Sequence, residues 1–417
     1  MRAPQYSKDP QSIFKSEFIY NPFPILDSLR KNSPISSIGN SGFHLISSFE
    51  LIQEVLDREA DFSANLKGVL YRSHDGNPDC FDLSETGALD VIATADGANH
   101  ARHKKVLANA FTTKSVMQYE TYIRKIADKE IQKIKVNGGS CIATIEKIPA
   151  MVISKLIGLP NTEYDDFMRW IMIGGSILAG EISSEGLHYL AVETEKMSGY
   201  LLEKFDLLQN PNFKDQSLLS VLRDAFENGV ISQEEAIGIA IILFGAGGES
   251  TSALMGSSIY HLATKSEIQN ELRKNNELIV PFIEEVIRMS PPFRFHYRHV
   301  NSDCFLGGYP LVSGEKLLLS WDSANRDEVL RGPQGTLYGR NTIGGAINLI
   351  TKKPSEDFGV KVKATVGNRD RVRTNASINT GTFGNGLSAT LSFNTDERGG
   401  LVTNSYNGAE QGAIESK

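Results

Sequence analysis

The sequence predicts a mainly α domain with small β-sheets over residues 1–327, followed over 328–417 by a β-rich tail of antiparallel strands. Three observations carry this. From about 20 to 290, apolar residues recur at helical spacing. Beyond 357 they alternate with polar residues at period two, over stretches of about ten residues. The composition also changes abruptly after Asp327. The first 327 residues hold 32 of the 43 Lys+Arg and 42 of the 50 Asp+Glu, a net charge of −10. The last 90 hold 11 and 8, net +3, and glycine rises from 23 in 327 to 14 in 90. All 8 His, all 8 Met, all 3 Cys and both Trp precede the seam. Such a shift indicates two unlike pieces. The chain averages, 40 % hydrophobic and 22 % charged, suit a cored protein and exclude wholesale disorder or a small disulfide scaffold. The acidic balance argues against nucleic-acid binding, which needs a basic surface.

The elements follow in order. Pro22–Arg30 is a short amphipathic helix, closed by Asn32-Ser33-Pro34. Ile35–Ser48 alternates around Gly39 and Gly42, a small hairpin. Phe49–Arg58 is helical, and 60–95 is polar, Gly/Asp-rich and irregular, a stretch more often functional than linking. Helical patterns then run at about 98–111, 114–135, 144–158, 163–178, 186–206 and 215–227. The longest covers 232–264 and opens at Ser232 with Glu235 three residues on, a capping-box spacing. Helices at 266–274 and 278–290 follow, the second stopped by Pro291-Pro292. Short strands are expected at 296–300, 303–306 and 316–320.

Targeting signals are not expected. The first residues, MRAPQYSKDPQSIFKSEF, contain no apolar run of signal-peptide length. The most apolar segment, Ala236–Gly248, is too short to span a bilayer and reads as the middle of a buried helix. Cys80, Cys141 and Cys304 are scattered without paired spacing, which fits a reducing cytoplasm and inert thiols.

Three features could carry chemistry. Ala246-Gly247-Gly248-Glu249-Ser250-Thr251 interrupts the apolar long helix with two glycines, an acid and two hydroxyls. Such a notch can open the helical ladder to a ligand or water; the alternative is close helix packing on small residues. Glu285 and Arg288 share one helix face three residues apart, a spacing that on its own reads as a common surface ion pair. Pro291-Pro292-Phe293-Arg294-Phe295-His296-Tyr297-Arg298 leaves that helix as an extended segment and ends in an arginine suited to a carboxylate.

Together and in this order, these features resemble the cytochrome P-450 family, the haem-thiolate monooxygenases. Asp96-Gly97-Ala98-Asn99-His100-Ala101-Arg102-His103-Lys104-Lys105, followed by Ala110-Phe111-Thr112, looks like that family's helix in which a His and a basic residue four later hold the haem propionates. Leu306-Gly307-Gly308-Tyr309, Ser313-Gly314-Glu315 and Ala324-Asn325-Arg326-Asp327 resemble its later strands and turn. The resemblance covers about 20–327. It implies haem b, bound by His100, Lys104, Ala246, Gly247 and Arg298. It implies catalytic proton relay by Glu249 and Ser250, with Thr251 adjacent, and a structural pair in Glu285 and Arg288. Electrons would come from a ferredoxin or reductase. A hydrophobic small molecule would lie under the 60–95 stretch and the 163–190 region. Two departures are mild: Ser250 stands where the family usually has Thr, and Lys104 where it usually has Arg.

The thiolate is the serious departure. The family's iron ligand is a cysteine in a Phe-x-x-Gly loop past the Ala-Asn-Arg-Asp turn. After Asp327 this sequence has no Cys, His or Met. The expectation is therefore a truncated domain without a metal ligand, with weak or absent haem binding and no activity.

In the tail, Phe358, Val360, Val362, Ala364 and Val366 alternate with Lys361, Lys363 and Thr365. Two further alternating segments follow, with turns at Gly367-Asn368 and Gly384-Asn385-Gly386. Such strands suit a membrane-barrel wall or an ordinary soluble meander. The Gly-rich run at 332–345 lacks the Gly-Lys-Ser/Thr of a phosphate loop. Arg331-Gly332-Pro333, Leu337-Tyr338-Gly339, Gly344-Gly345-Ala346-Ile347-Asn348 and Thr351-Lys352 closely resemble TonB-dependent outer-membrane receptors, where the plug ends and the barrel begins. That resemblance covers 328–417, a fragment too short to close a barrel. The expectation is a chimera joined near Asp327, cytoplasmic and without membrane insertion, with an inert fusion and a receptor fragment as the alternatives.

Overall fold

The computed structural model describes residues 5–324 apart from 8, 85, 88, 139–140, 161–163, 179–181 and 214. Beyond 324 it describes the strand segments 330–331, 345–346, 358–367, 371–383, 387–398, 402–403, 410–411 and 414–416. Two compact units divide at Asn348/Leu349. The compositional seam at 327/328 lies outside the described residues, as do most of the motif residues between 332 and 357.

In the first unit the helices are α1 (Ser16–Tyr20), α2 (Phe23–Asn32), α3 (Phe49–Asp57), α4 (Gly97–Leu107), α5 (Thr113–Met117), α6 (Glu120–Asn137) and α7 (Ile142–Ile157). They continue with α8 (Tyr164–Leu178), α9 (Ser184–Leu207), α10 (Leu218–Glu227), α11 (Gln233–Thr264), α12 (Ser266–Lys274), α13 (Ile279–Met289) and α14 (Trp321–Ala324). The strands are β1 (Ile35–Ser37), β2 (Phe43–Ile46), β3 (Phe62–Ser63), β4 (Gly68–Arg72), β5 (Pro78–Asp82), β6 (Phe295–Val300), β7 (Cys304–Leu306), β8 (Tyr309–Leu311) and β9 (Lys316–Ser320). The main sheet has the order β1-β2-β9-β6-β3, with β2 and β9 parallel and the other pairs antiparallel. Leu317, Leu318 and Leu319 of β9 are buried on both faces, as a central strand requires.

Two expectations are corrected in detail. The pattern at 114–135 breaks into α5 and α6. The stretch 60–95 is not irregular throughout, because β4 and β5 pair as a hairpin and a 3-10 turn spans Ile92–Thr94.

The long helix α11 organises the helical layer. Its N-cap Ser232 accepts from the Glu235 amide, and the Glu235 carboxylate accepts from the Ser232 amide, the reciprocal cap expected from the spacing. Ala236, Ile237, Ile239, Ala240 and Phe244 enter a core with Ile157, Phe167, Leu201, Phe205 and Leu222. The helix matches the expected 232–264 within a residue. By length and composition alone its 32 residues could cross a membrane, with a window of mean hydropathy 1.5. Its N-terminal half is the part that enters the core.

In the second unit, β12 (Phe358–Gly367), β13 (Arg371–Phe383) and β14 (Leu387–Arg398) pair antiparallel in chain order, after the short pair β10 (Leu330–Arg331) and β11 (Gly345–Ala346) of the first unit. The register aligns Val360 with Ile378 and Leu391, and Val362 with Ala376 and Phe393. The Gly384-Asn385-Gly386 turn lies outside the described residues.

Candidate active site

The notch of α11 does not break the helix, which is continuous from Gln233 to Thr264. Of the two readings of the notch, an opened ladder and close packing on small residues, the continuous helix favours the second. The two glycines admit neighbouring helices. A Cβ on Gly248 would lie 2.6 Å from Ile171 of α8, and one on Gly247 would lie 2.7 Å from the terminal carbon of Ile153 of α7. Gly247, expected at the cofactor, faces mainly the free end of Ile153. Ala246 and Ser250 lie one turn apart on another side of the helix, where Ala246 is exposed and Ser250 half-buried. The Ser250 hydroxyl donates to the Ala246 carbonyl at 2.5 Å, so its proton is parked on the backbone. Glu249 is half-buried beside this side, and the exposed Thr251 lies about 100° further round from Ser250.

Glu285 and Arg288 of α13 form no surface pair. Their side chains are 9 % and 13 % exposed, which separates them from the weak exposed ion pairs that share their spacing. Arg288 donates from Nε and Nη2 to the two carboxylate oxygens, both at 2.7 Å.

The arginines of the extended run have different fates. Arg294 is used up: its Nε donates to Asp322 at 2.5 Å, and its two Nη groups donate to the Ile19 and Phe18 carbonyls. Arg298, held in β6 opposite Leu317 of β9, donates Nη1 to the Tyr297 carbonyl. Among the described residues it makes no ion pair. Burial pulls its guanidinium below the ordinary value, against the opposing pull of Asp96 and Glu59. A partly desolvated guanidinium without a carboxylate is a binding site for one. His100 and Lys104, one turn apart on α4, are both exposed and add an imidazole and an ammonium.

Three groups were missed in the sequence. Glu235 binds Arg102 bidentately and also lies 3.1 Å from His103 Nε2. Asp322 locks Arg294. Trp321 Nε1 donates to His296 Nδ1 at 2.5 Å. Only the capping-box glutamate left a local signal. The other partners are separated by tens of residues.

No cysteine is placed as a thiolate. Cys80 sits in the β4–β5 hairpin, where burial pushes its thiol up against the pull of Lys316. Cys304 in β7 is likewise raised by burial. Cys141 is the N-cap residue of α7. Arg298, His100 and Lys104 are thus cations or imidazoles of the kind that pair with carboxylates, and the three thiols sit in a hairpin, at a helix N-cap and in a short strand pair.

The family model for Cytochrome P450 matches residues 191–330. Cytochrome P450 144 of Mycobacterium tuberculosis is 34 % identical over 329 residues, covering 77 % of this chain and 74 % of its own. The Vitamin D(3) 25-hydroxylase of Pseudonocardia autotrophica is 26 % identical over 323 residues, 76 % of each chain. The structure of CYP109E1 from Bacillus megaterium in complex with testosterone superposes with a TM-score of 0.64 at 25 % identity, covering 75 % of this chain and 79 % of that one. At that identity and coverage, and with the order of its helices and sheets, the chain belongs to the cytochrome P450 family.

Proposed function

We propose that residues 1–327 derive from a haem monooxygenase that oxidised a hydrophobic small molecule in the cytoplasm, with electrons from a ferredoxin or reductase. The relatives named as acting on vitamin D(3) or binding testosterone support an apolar substrate. Haem, when bound with a thiolate, supplies dioxygen activation. The residues of this chain supply the rest. Arg298, His100 and Lys104 hold the carboxylates. The exposed Ala246 leaves room for a flat ligand against α11. Ser250 keeps a proton next to the acid Glu249, about 100° round the helix.

The observation that carries this reading is Arg298: a partly desolvated cation with no ion pair among the described residues, four residues along the same segment from an arginine that has one. The test is a haem titration followed by absorbance and tryptophan quenching. Wild type should bind haem weakly, and Arg298→Leu should weaken that binding about tenfold or more, the loss expected for a charge-assisted contact. Equal binding by both proteins would overturn the assignment.

The same reading holds that this chain lacks monooxygenase activity, because its three thiols are placed elsewhere. The segment 328–417 is proposed to be a TonB-dependent receptor fragment joined near Asp327. The motif run at 331–352 and the compositional step support this. A single long DNA read across codons 320–335 decides it. One uninterrupted locus supports a real fusion, and two separate loci refute it.

A further inference from the structure

His103 lies on α4 between His100 and Lys104, but it faces inward and is fully buried. Its Nδ1 accepts the backbone N–H of Ile92 at 3.2 Å. An amide nitrogen can only donate, so Nδ1 must carry a lone pair and the ring proton must sit on Nε2. Nε2 then donates to Glu235 Oε1 at 3.1 Å. That carboxylate also accepts from the Ser232 amide and from two Arg102 nitrogens, and these donors fix it as an ionised acceptor. At the other end of the chain of bonds, Ile92 has φ +39°, a conformation that β-branched residues rarely adopt and that persists only when its surroundings enforce it. The Ile92–Thr94 turn packs against both α4 and α11. Val91, beside it, lies against Gly238 of α11.

We propose that His103 is a positioning residue: as a neutral Nε2–H imidazole it carries the orientation of the Glu235 carboxylate to the Ile92 amide, and so holds the 92–94 turn between α4 and α11. The clasp joins the cap of the helix that bears Ala246 and Ser250 to the helix that bears His100 and Lys104. Its relevance to haem binding rests on the reading given above, but the clasp itself does not depend on it.

The experiment uses the full chain without haem. Selective 15N labelling of histidine reads the ring, and hydrogen exchange of the peptide spanning 89–96 reads the turn. At neutral pH, His103 should show a protonated Nε2 and a bare Nδ1. An asparagine oxygen can take the place of Nδ1, whereas a glutamine reaches only the Nε2 position. His103→Asn should therefore keep the exchange of the Ile92 amide near the wild-type rate, and His103→Gln should raise it about tenfold. A cationic ring or an Nδ1–H tautomer in the wild type would refute the clasp, and this readout needs no variant to fold. Equal exchange in the two variants would refute it as well. A haem titration that failed while the tautomer stood would count against the haem reading alone.

Discussion

His296 stands on β6 with its ring against Phe293 and Trp321, at centroid distances of 5.6 and 5.8 Å. Burial, with Arg298 nearby as the lesser cause, lowers its pKa from 6.5 to about 4. The folded protein thus keeps the ring neutral where the unfolded chain would protonate it. The stability this contributes is fully present above pH 6.5 and is lost as pH falls towards 4. A Trp170→Phe variant isolates the emission of Trp321, whose N–H the neutral ring accepts. Its emission should change with a midpoint near pH 4, and His296→Gln should abolish the change; a midpoint near 6.5 would show an exposed ring. At this scale the sequence spoke unevenly. It named Arg298, but nothing local showed that Arg294 is tied to Asp322, 28 residues on. Long-range partners of this kind leave no periodicity to read.

At the scale of the element, α11 shows which of two readings of its glycines applies. A methyl on Gly248 would meet three carbons of Ile171 at 2.6–2.8 Å, whereas one on Gly247 mainly meets the free end of Ile153. Alanine in a helix interior gains about 1 kcal/mol over glycine. Overpacking a tight contact costs about 1–3 kcal/mol. Gly248→Ala should therefore destabilise the domain in urea unfolding, and Gly247→Ala should be near neutral. Trimming Ile171 to Val should recover part of the Gly248→Ala loss, since the two positions touch. A Gly248→Ala protein more stable than wild type would contradict the close contact. Helices were legible because their apolar stripes are long, and α11, α12 and α13 begin and end within a residue or two of the expected bounds. The β4–β5 hairpin was not, because its ten residues include Arg72, Asp79 and Asp82 and do not alternate. The buried state of Glu285–Arg288 was likewise invisible, since the same spacing serves surface pairs.

At the scale of the molecule, the two compact units divide at Asn348/Leu349, 21 residues beyond the compositional step at Asp327. In the second unit Val360, Val362, Ile378, Leu391 and Phe393 are exposed on aligned registers, an apolar sheet face without a covering layer among its described residues. In the first unit, a cytochrome P450 fold presents cations suited to haem carboxylates while its cysteines sit in a hairpin, a helix cap and an edge pair. The fold was readable because it rests on long apolar stripes and local motifs. The proposed lack of a thiolate rests on one residue type missing from 90 consecutive positions. The most direct measurement is the absorption spectrum of the full chain mixed with haem, reduced and exposed to carbon monoxide. The expected spectrum is that of a haem without thiolate ligation; a thiolate-type Soret band would show that Cys80, Cys141 or Cys304 reaches the iron, and would contradict the proposed loss of activity.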